Sequence, residues 1–145
     1  MENLFIAATN LYGLRAIRVA LQQKKLSDAT ILGCAMFGSI VYHLSETKHG
    51  MNSLILKDYV NITLNIDRLF AGIAAVTFLL KYKKKLNKKI ISYGSVGLGM
   101  MMISECQHVI SLSLPIEKQI YLLTHPIWHI CAFHTAYLLL CKSHY

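Results

Sequence analysis

Charge is scarce in this chain of 145 residues: Asp, Glu, Lys and Arg together make up 15%, against roughly a quarter in an ordinary soluble domain. Acid is scarcer still, with seven Asp and Glu facing fifteen Lys and Arg. There are two prolines and eight glycines, which excludes a collagen-like chain, and a hydrophobic share of 54% excludes the low-hydrophobicity class of disorder. The four cysteines, Cys34, Cys106, Cys131 and Cys141, form no CxxC pair and lie in or at the ends of apolar runs, so they read as small buried apolar residues. The opening residues lack the charge and cleavage pattern of a secretory signal, and no myristoylation or prenylation motif is present. The first apolar run is therefore expected to be retained as a helix, and attachment to a membrane to come from spanning segments.

Long apolar runs are what the chain has in place of charge. A mean hydropathy of +0.44, with the charges gathered between the runs, argues for a single polytopic transmembrane domain over residues 1–145. On this reading the net charge of +8 is a topology signal and not a nucleic-acid surface. Spans of about 20 apolar residues fit residues 3–22, 28–46, 58–81, 89–114 and 118–141, giving an all-α bundle of five helices, or six if the fourth run breaks. That run is long for one crossing, and its second half, from Glu105, is polar enough to tilt, break or re-enter. Gly94, Gly97 and Gly99 in its first half suit close helix approach. Lysines concentrate in alternate connections: Lys24 and Lys25, then Lys81, Lys83, Lys84, Lys85, Lys88 and Lys89, against Lys48, Lys57 and Lys118 in the others. The positive-inside rule puts the lysine-rich loops in the cytoplasm and the N-terminus outside.

Ionisable residues inside a span are expensive, so each is a functional hypothesis. Helix two ends with Ser39 and His43, helix three carries Asp67 two to three turns in, helix four has Glu105 and His108 near its end, and helix five has His125 and His129 near its start. Because successive helices alternate in direction, these positions share one depth, on the side away from the lysines. Residues four apart lie about 6 Å from each other on one helix face, so His125 and His129 form a His-x3-His pair able to give two imidazoles to one metal ion. His43 is the candidate third ligand for zinc, and Asp67 the candidate to hold or deprotonate a water whose pKa the metal lowers to roughly 7. Plainer roles stay open: Asp67 as the ion-pair partner of Arg68 or Arg15, and Ser39 bonding back to the carbonyl one turn earlier. Glu105-x2-His108 resembles half of a di-iron carboxylate site whose other half is absent, and reads as an outer layer of the metal site or cavity lining. His134 falls roughly opposite His125 around helix five and should face away from the cluster. Met100 to Met102, Phe70, Phe78 and Trp128 read as lipid-facing or packing residues, and Tyr42, Tyr59 and Tyr121 as interfacial rings.

The ordered set Ser39-x3-His43, Asp67, His125-x3-His129 resembles the CREST superfamily of membrane hydrolases, which includes alkaline ceramidases, the progestin and adipoQ receptors, the post-GPI-attachment lipases and the myomaker-like proteins. The wording Ser-Ile-Val-Tyr-His-Leu-Ser-Glu around His43 and His-Pro-Ile-Trp-His-Ile around His125 and His129 is most similar to the myomaker-like branch. The resemblance implies that His43, His125 and His129 bind zinc, that Asp67 orients or activates the zinc-bound water, and that Ser39 assists nearby. It implies a lipid amide or ester as substrate, hydrolysed at the extracytoplasmic or lumenal face. Superfamily members have seven spans, so the resemblance makes this a shortened version with two helices fewer, and a homodimer would close the cavity. Two readings from other classes stand beside the hydrolase: a non-enzymatic membrane-remodelling scaffold in which zinc is a structural staple, and a b-type haem electron carrier ligated by two histidines from separate helices.

Overall fold

Runs dominated by Leu, Ile, Ala, Val and Met satisfy their backbone polar groups locally by coiling into helices. A computed structural model describes residues 1–106 and 113–141, and all the regular structure among them is helical. Five helices are described: α1 (Glu2–Gln22), α2 (Leu26–Ser45), α3 (Val60–Tyr82), α4 (Lys88–Glu105) and α5 (Leu114–Cys141). The fourth helix stops at Glu105, short of the expected end at 114. His108 lies outside the described residues. Two helical stretches, Glu2–Gln22 and Lys57–Lys85, are long and apolar enough to cross a membrane.

The turns are set by local chemistry. Lys24 takes the left-handed conformation (φ 56°), and the Lys24 and Lys25 N–H groups donate to the Leu21 and Ala20 carbonyls at 2.9 Å, a Schellman closure of α1. At the other lysine-rich turn the Asn87 side chain accepts from the Ile90 N–H at 2.9 Å and caps α4. Both turns lie at one end of the fold, pinned by Asp28 at the start of α2. Its fully buried carboxylate accepts from Lys81 Nζ at 2.7 Å and from the Tyr82 hydroxyl, joining α2 to the end of α3. At the opposite end Lys118 and Glu2 pair at 2.6 Å, joining the starts of α5 and α1.

The helices pack as an arc in the order α3, α2, α1, α5, α4; α3 and α4, though consecutive, hardly touch each other. Inside the arc is a cavity of about 500 Å³ with walls such as Leu32, Phe78, Ile90, Phe133 and Leu139. Trp128 and Phe78 line it, while Phe70 packs on Gly38. The burial departs from that of a soluble domain, with many polar side chains inside and many large apolar ones outside. Asn3, Asn10, Asp28, Ser39, His43, Glu46, His125 and His129 are buried, whereas Phe37, Leu69, Leu80 and Leu123 are at least 60% exposed. Of the cysteines, Cys131 is buried and Cys106 exposed.

Of the three glycines expected at a helix contact, Gly97 makes it: a Cβ there would stand 2.9 Å from the Cys131 Cβ, while Gly94 has only ordinary contacts and Gly99 has nothing within 4 Å. Gly97→Val should therefore push α4 off α5 and cost about 1–3 kcal/mol, as overpacking does. Gly99→Val, which meets nothing and replaces the poorer helix former, should cost nothing or stabilise slightly; paired thermal unfolding of the purified variants checks the difference.

Candidate metal centre

Three buried histidines meet where α2 and α5 face each other. Ser39 and His43 project from successive turns at the end of α2, Glu46 is the extended residue that follows it, and His125 and His129 project from one face of α5. Pro126, which has no N–H to give the helix ladder, sits between the two α5 histidines. The ring centroids form a near-equilateral triangle: His43–His125 4.8 Å, His43–His129 4.9 Å and His125–His129 4.7 Å. Ligand nitrogens of the three all lie within 4.8 Å of one another.

The hydrogen bonds around the rings decide which nitrogens are free. Thr9 Oγ1 donates its proton to the Ile6 carbonyl at 2.6 Å, so toward His129 Nδ1, 2.9 Å away, it can only accept. Ser104 Oγ likewise donates to the Met101 carbonyl at 2.9 Å and accepts from His125 Nδ1 at 3.1 Å. The Glu46 carboxylate accepts from the Tyr42 hydroxyl (2.7 Å), the Tyr121 hydroxyl (2.8 Å) and His43 Nδ1 (2.9 Å). Each imidazole thus carries its proton on Nδ1, and three Nε2 lone pairs are left. Those of His43 and His129 stand 3.3 Å apart with no proton to share.

This donor set fits a cation. Two nitrogens each 2.0–2.1 Å from one tetrahedral ion are separated by about 3.3–3.4 Å; bringing in the third asks for an adjustment on the order of 1 Å. An N–H fixed by a carboxylate or hydroxyl behind each ligand is the usual support of a metal-bound histidine. Glu46, fully buried, also supplies a negative charge against the ion.

Ser39 Oγ lies 3.4 Å from His129 Nε2. Ser39, Asp67 and His129 line one end of the cavity together. Arg68 and Arg15 are engaged elsewhere, with Glu105 and Tyr12 respectively. Glu105 does not line the cavity: its Oε2 meets Lys48 Nζ at 3.4 Å and Arg68 Nη2 at 3.5 Å, across the end of the bundle. His134 faces away from the triad, against Tyr12, Tyr93 and Tyr137. Tyr42 and Tyr121 are not interfacial rings; both are buried, with their hydroxyls on Glu46. Sequence reasoning missed Glu46, Thr9 and Ser104. Of these only Glu46 carries a one-dimensional signal, a carboxylate three residues after a histidine on a helix.

Glu46→Gln should weaken metal binding about 10- to 100-fold, the usual effect of removing such a support, and competition with a chromophoric chelator measures it. Thr9→Val, which removes a neutral acceptor, should cost less than Glu46→Gln in the same titration.

No curated protein and no solved structure matches the chain. Residues 1–125 match a family described as "Protein of unknown function (DUF3522)", a range that takes in Ser39, His43, Glu46, Asp67 and His125 and ends one helical turn before His129. By that match, which covers most of its length, the chain belongs to the DUF3522 family.

Proposed function

We propose that the protein is a zinc-dependent intramembrane hydrolase of a lipid amide or ester, related to the CREST superfamily. The observation that carries this reading is the convergence of three Nε2 lone pairs beside Ser39 and Asp67, at the polar end of an otherwise apolar cavity. Buried polar side chains under an exterior of large exposed apolar ones support a bundle that takes the bilayer as its solvent. With the lysine-rich turns in the cytoplasm, the metal centre faces the extracytoplasmic or lumenal side.

His43, His125 and His129 would hold the zinc, which when bound supplies a Lewis acid for a carbonyl and a water acidified to a pKa of roughly 7. Asp67 takes the proton of the attacking water on its carboxylate and passes it to the departing nitrogen or oxygen. Ser39 stands beside His129 on the same wall of the cavity as that carboxylate. The apolar walls receive the acyl chain and keep bulk water out, which strengthens every charge interaction at the polar end. Between His129 and Leu139 the helix rises by about 15 Å, so the cavity reaches well away from the centre. Its open side, between α3 and α4, gives lipid a lateral way in and is the face a second copy of the chain would cover in a homodimer.

The arrangement counts against haem ligation. Two axial histidines hold their nitrogens on opposite faces of a macrocycle, whereas here the His43 and His129 Nε2 atoms are 3.3 Å apart, with no space for a ring between them. A scaffold with a structural ion has no use for a carboxylate and a hydroxyl beside the open coordination position.

Elemental analysis of the purified protein should find about one zinc per chain, lost when His43, His125 and His129 are replaced together. Asp67→Asn should keep the metal and lower turnover on a panel of ceramides, lysolipids and phospholipids by about 10²- to 10⁴-fold. Metal-free wild type would sink the zinc reading, and full turnover in Asp67→Asn would remove the general base.

A further inference from the structure

Helix α1 changes winding at one place: the α-helix of Glu2–Thr9 gives way to a 3-10 segment, Asn10–Gly13, before resuming at Leu14. Asn10 sits at that join, 0% exposed, and lines the cavity with Ser39, Asp67 and His129. Both polar atoms of its side chain, Oδ1 and Nδ2, are buried without a hydrogen-bond partner. Ser39 on the same cavity wall and Thr9 before it in the chain have their hydroxyls on other partners. A buried carboxamide left unbonded is costly, and a leucine of similar size would avoid the cost. An orphaned donor and acceptor on the wall of a ligand-sized cavity mark the place where a ligand completes the bonding.

A carboxamide offers an N–H and a C=O together, so its complement carries an acceptor and a donor. Of the two lipid classes named above, an amide has an N–H to give Oδ1; an ester has only oxygens, which would leave Oδ1 facing lone pairs. A site built to bond a polar N–H rejects the analogue that lacks it, because its own buried atom then stays unpaired. We propose that Asn10 is a specificity-determining residue that selects an acyl amide over the matching ester: Oδ1 accepts the amide N–H, and Nδ2 donates to an oxygen of the same polar group. This deepens the hydrolase reading, on which it rests for the identity of the cavity's polar end, but its test requires binding alone.

Trp128 lines the same cavity and is the only tryptophan in the chain, so a bromine-bearing ligand reports its own entry by quenching. Full-length protein in nanodiscs is titrated with a brominated fatty acyl N-methylamide and with the matching methyl ester. Wild type should bind the amide about tenfold more tightly, the worth of one good buried hydrogen bond. Asn10→Leu should bring the two within about twofold by weakening the amide alone, with a thermal midpoint at or above that of wild type. Equal affinities in wild type, which need no variant to observe, overturn the proposal. So does quenching by neither ligand, a preference that survives Asn10→Leu, or a lowered midpoint with unchanged preference, which would make Asn10 structural. Repeating the titration after chelation separates the two readings. Amide preference without zinc or hydrolysis leaves the Asn10 assignment and removes the reaction; hydrolysis of both ligands with equal affinities does the reverse.

Discussion

Glu46 holds a fully buried carboxylate, and much of the surrounding structure is arranged to make that tolerable. An unpaired buried charge would cost several kcal/mol, yet here two tyrosine hydroxyls and an imidazole N–H converge on the two oxygens. Those donors come from α2 and α5, and the backbone carbonyl of the same residue accepts from Asn3 in α1 at 2.8 Å. One side chain at the end of α2 thereby sets the spacing of three helices. It also fixes the tautomer of His43, so the chemistry of the centre and the geometry of the bundle depend on the same few hydrogen bonds.

The other two histidines repeat the device with weaker partners. Thr9 and Ser104 are each committed as donors to a carbonyl three residues earlier, a local habit of hydroxyl side chains in helices. Each is left only its lone pairs to offer an imidazole N–H. The outer layer is therefore drawn from α1, the end of α2 and α4, while the inner layer comes from α2 and α5. Such a division suits an arc of helices with one open side, because no single pair of helices has to hold the whole site. It also leaves Ser39 and Asp67 beside the triad on the cavity side, away from the loop that closes the end of α2.

The chain's pattern made the inner layer legible and left the outer layer dark. His43, His125 and His129 stand out because ionisable residues are rare in apolar runs and because alternation of helix direction puts them at one depth. Spacing of four then orients His125 and His129 together. Thr9 and Ser104 are ordinary residues in helices that meet the site only through tertiary packing, so no local pattern marks them. Tyr42 and Tyr121 look interfacial because tyrosines near the ends of apolar runs usually are, and a buried carboxylate that recruits their hydroxyls is invisible in one dimension. Glu105 is the converse: it has the right type and depth, but Lys48 and Arg68 claim it at the end of the bundle. The end of α4 was legible only as one of two readings: the run turns polar enough to break from Glu105, where the helix does end, but apolar residues such as Val109 and Ile110 continue it toward 114.

A proton shared between His43 and His129 is the simplest rival to a metal ion, since their nitrogens are 3.3 Å apart. It would answer only two of the three lone pairs and give that of His125 no role. It would also need none of the three supports behind the rings, because an imidazole that is free to change tautomer can supply the proton itself. Supports at all three Nδ1 positions have one common effect, which is to turn three lone pairs toward a single point and hold them there. A multiply coordinating cation would make use of all three, and its charge would complete the electrostatic account that Glu46 begins.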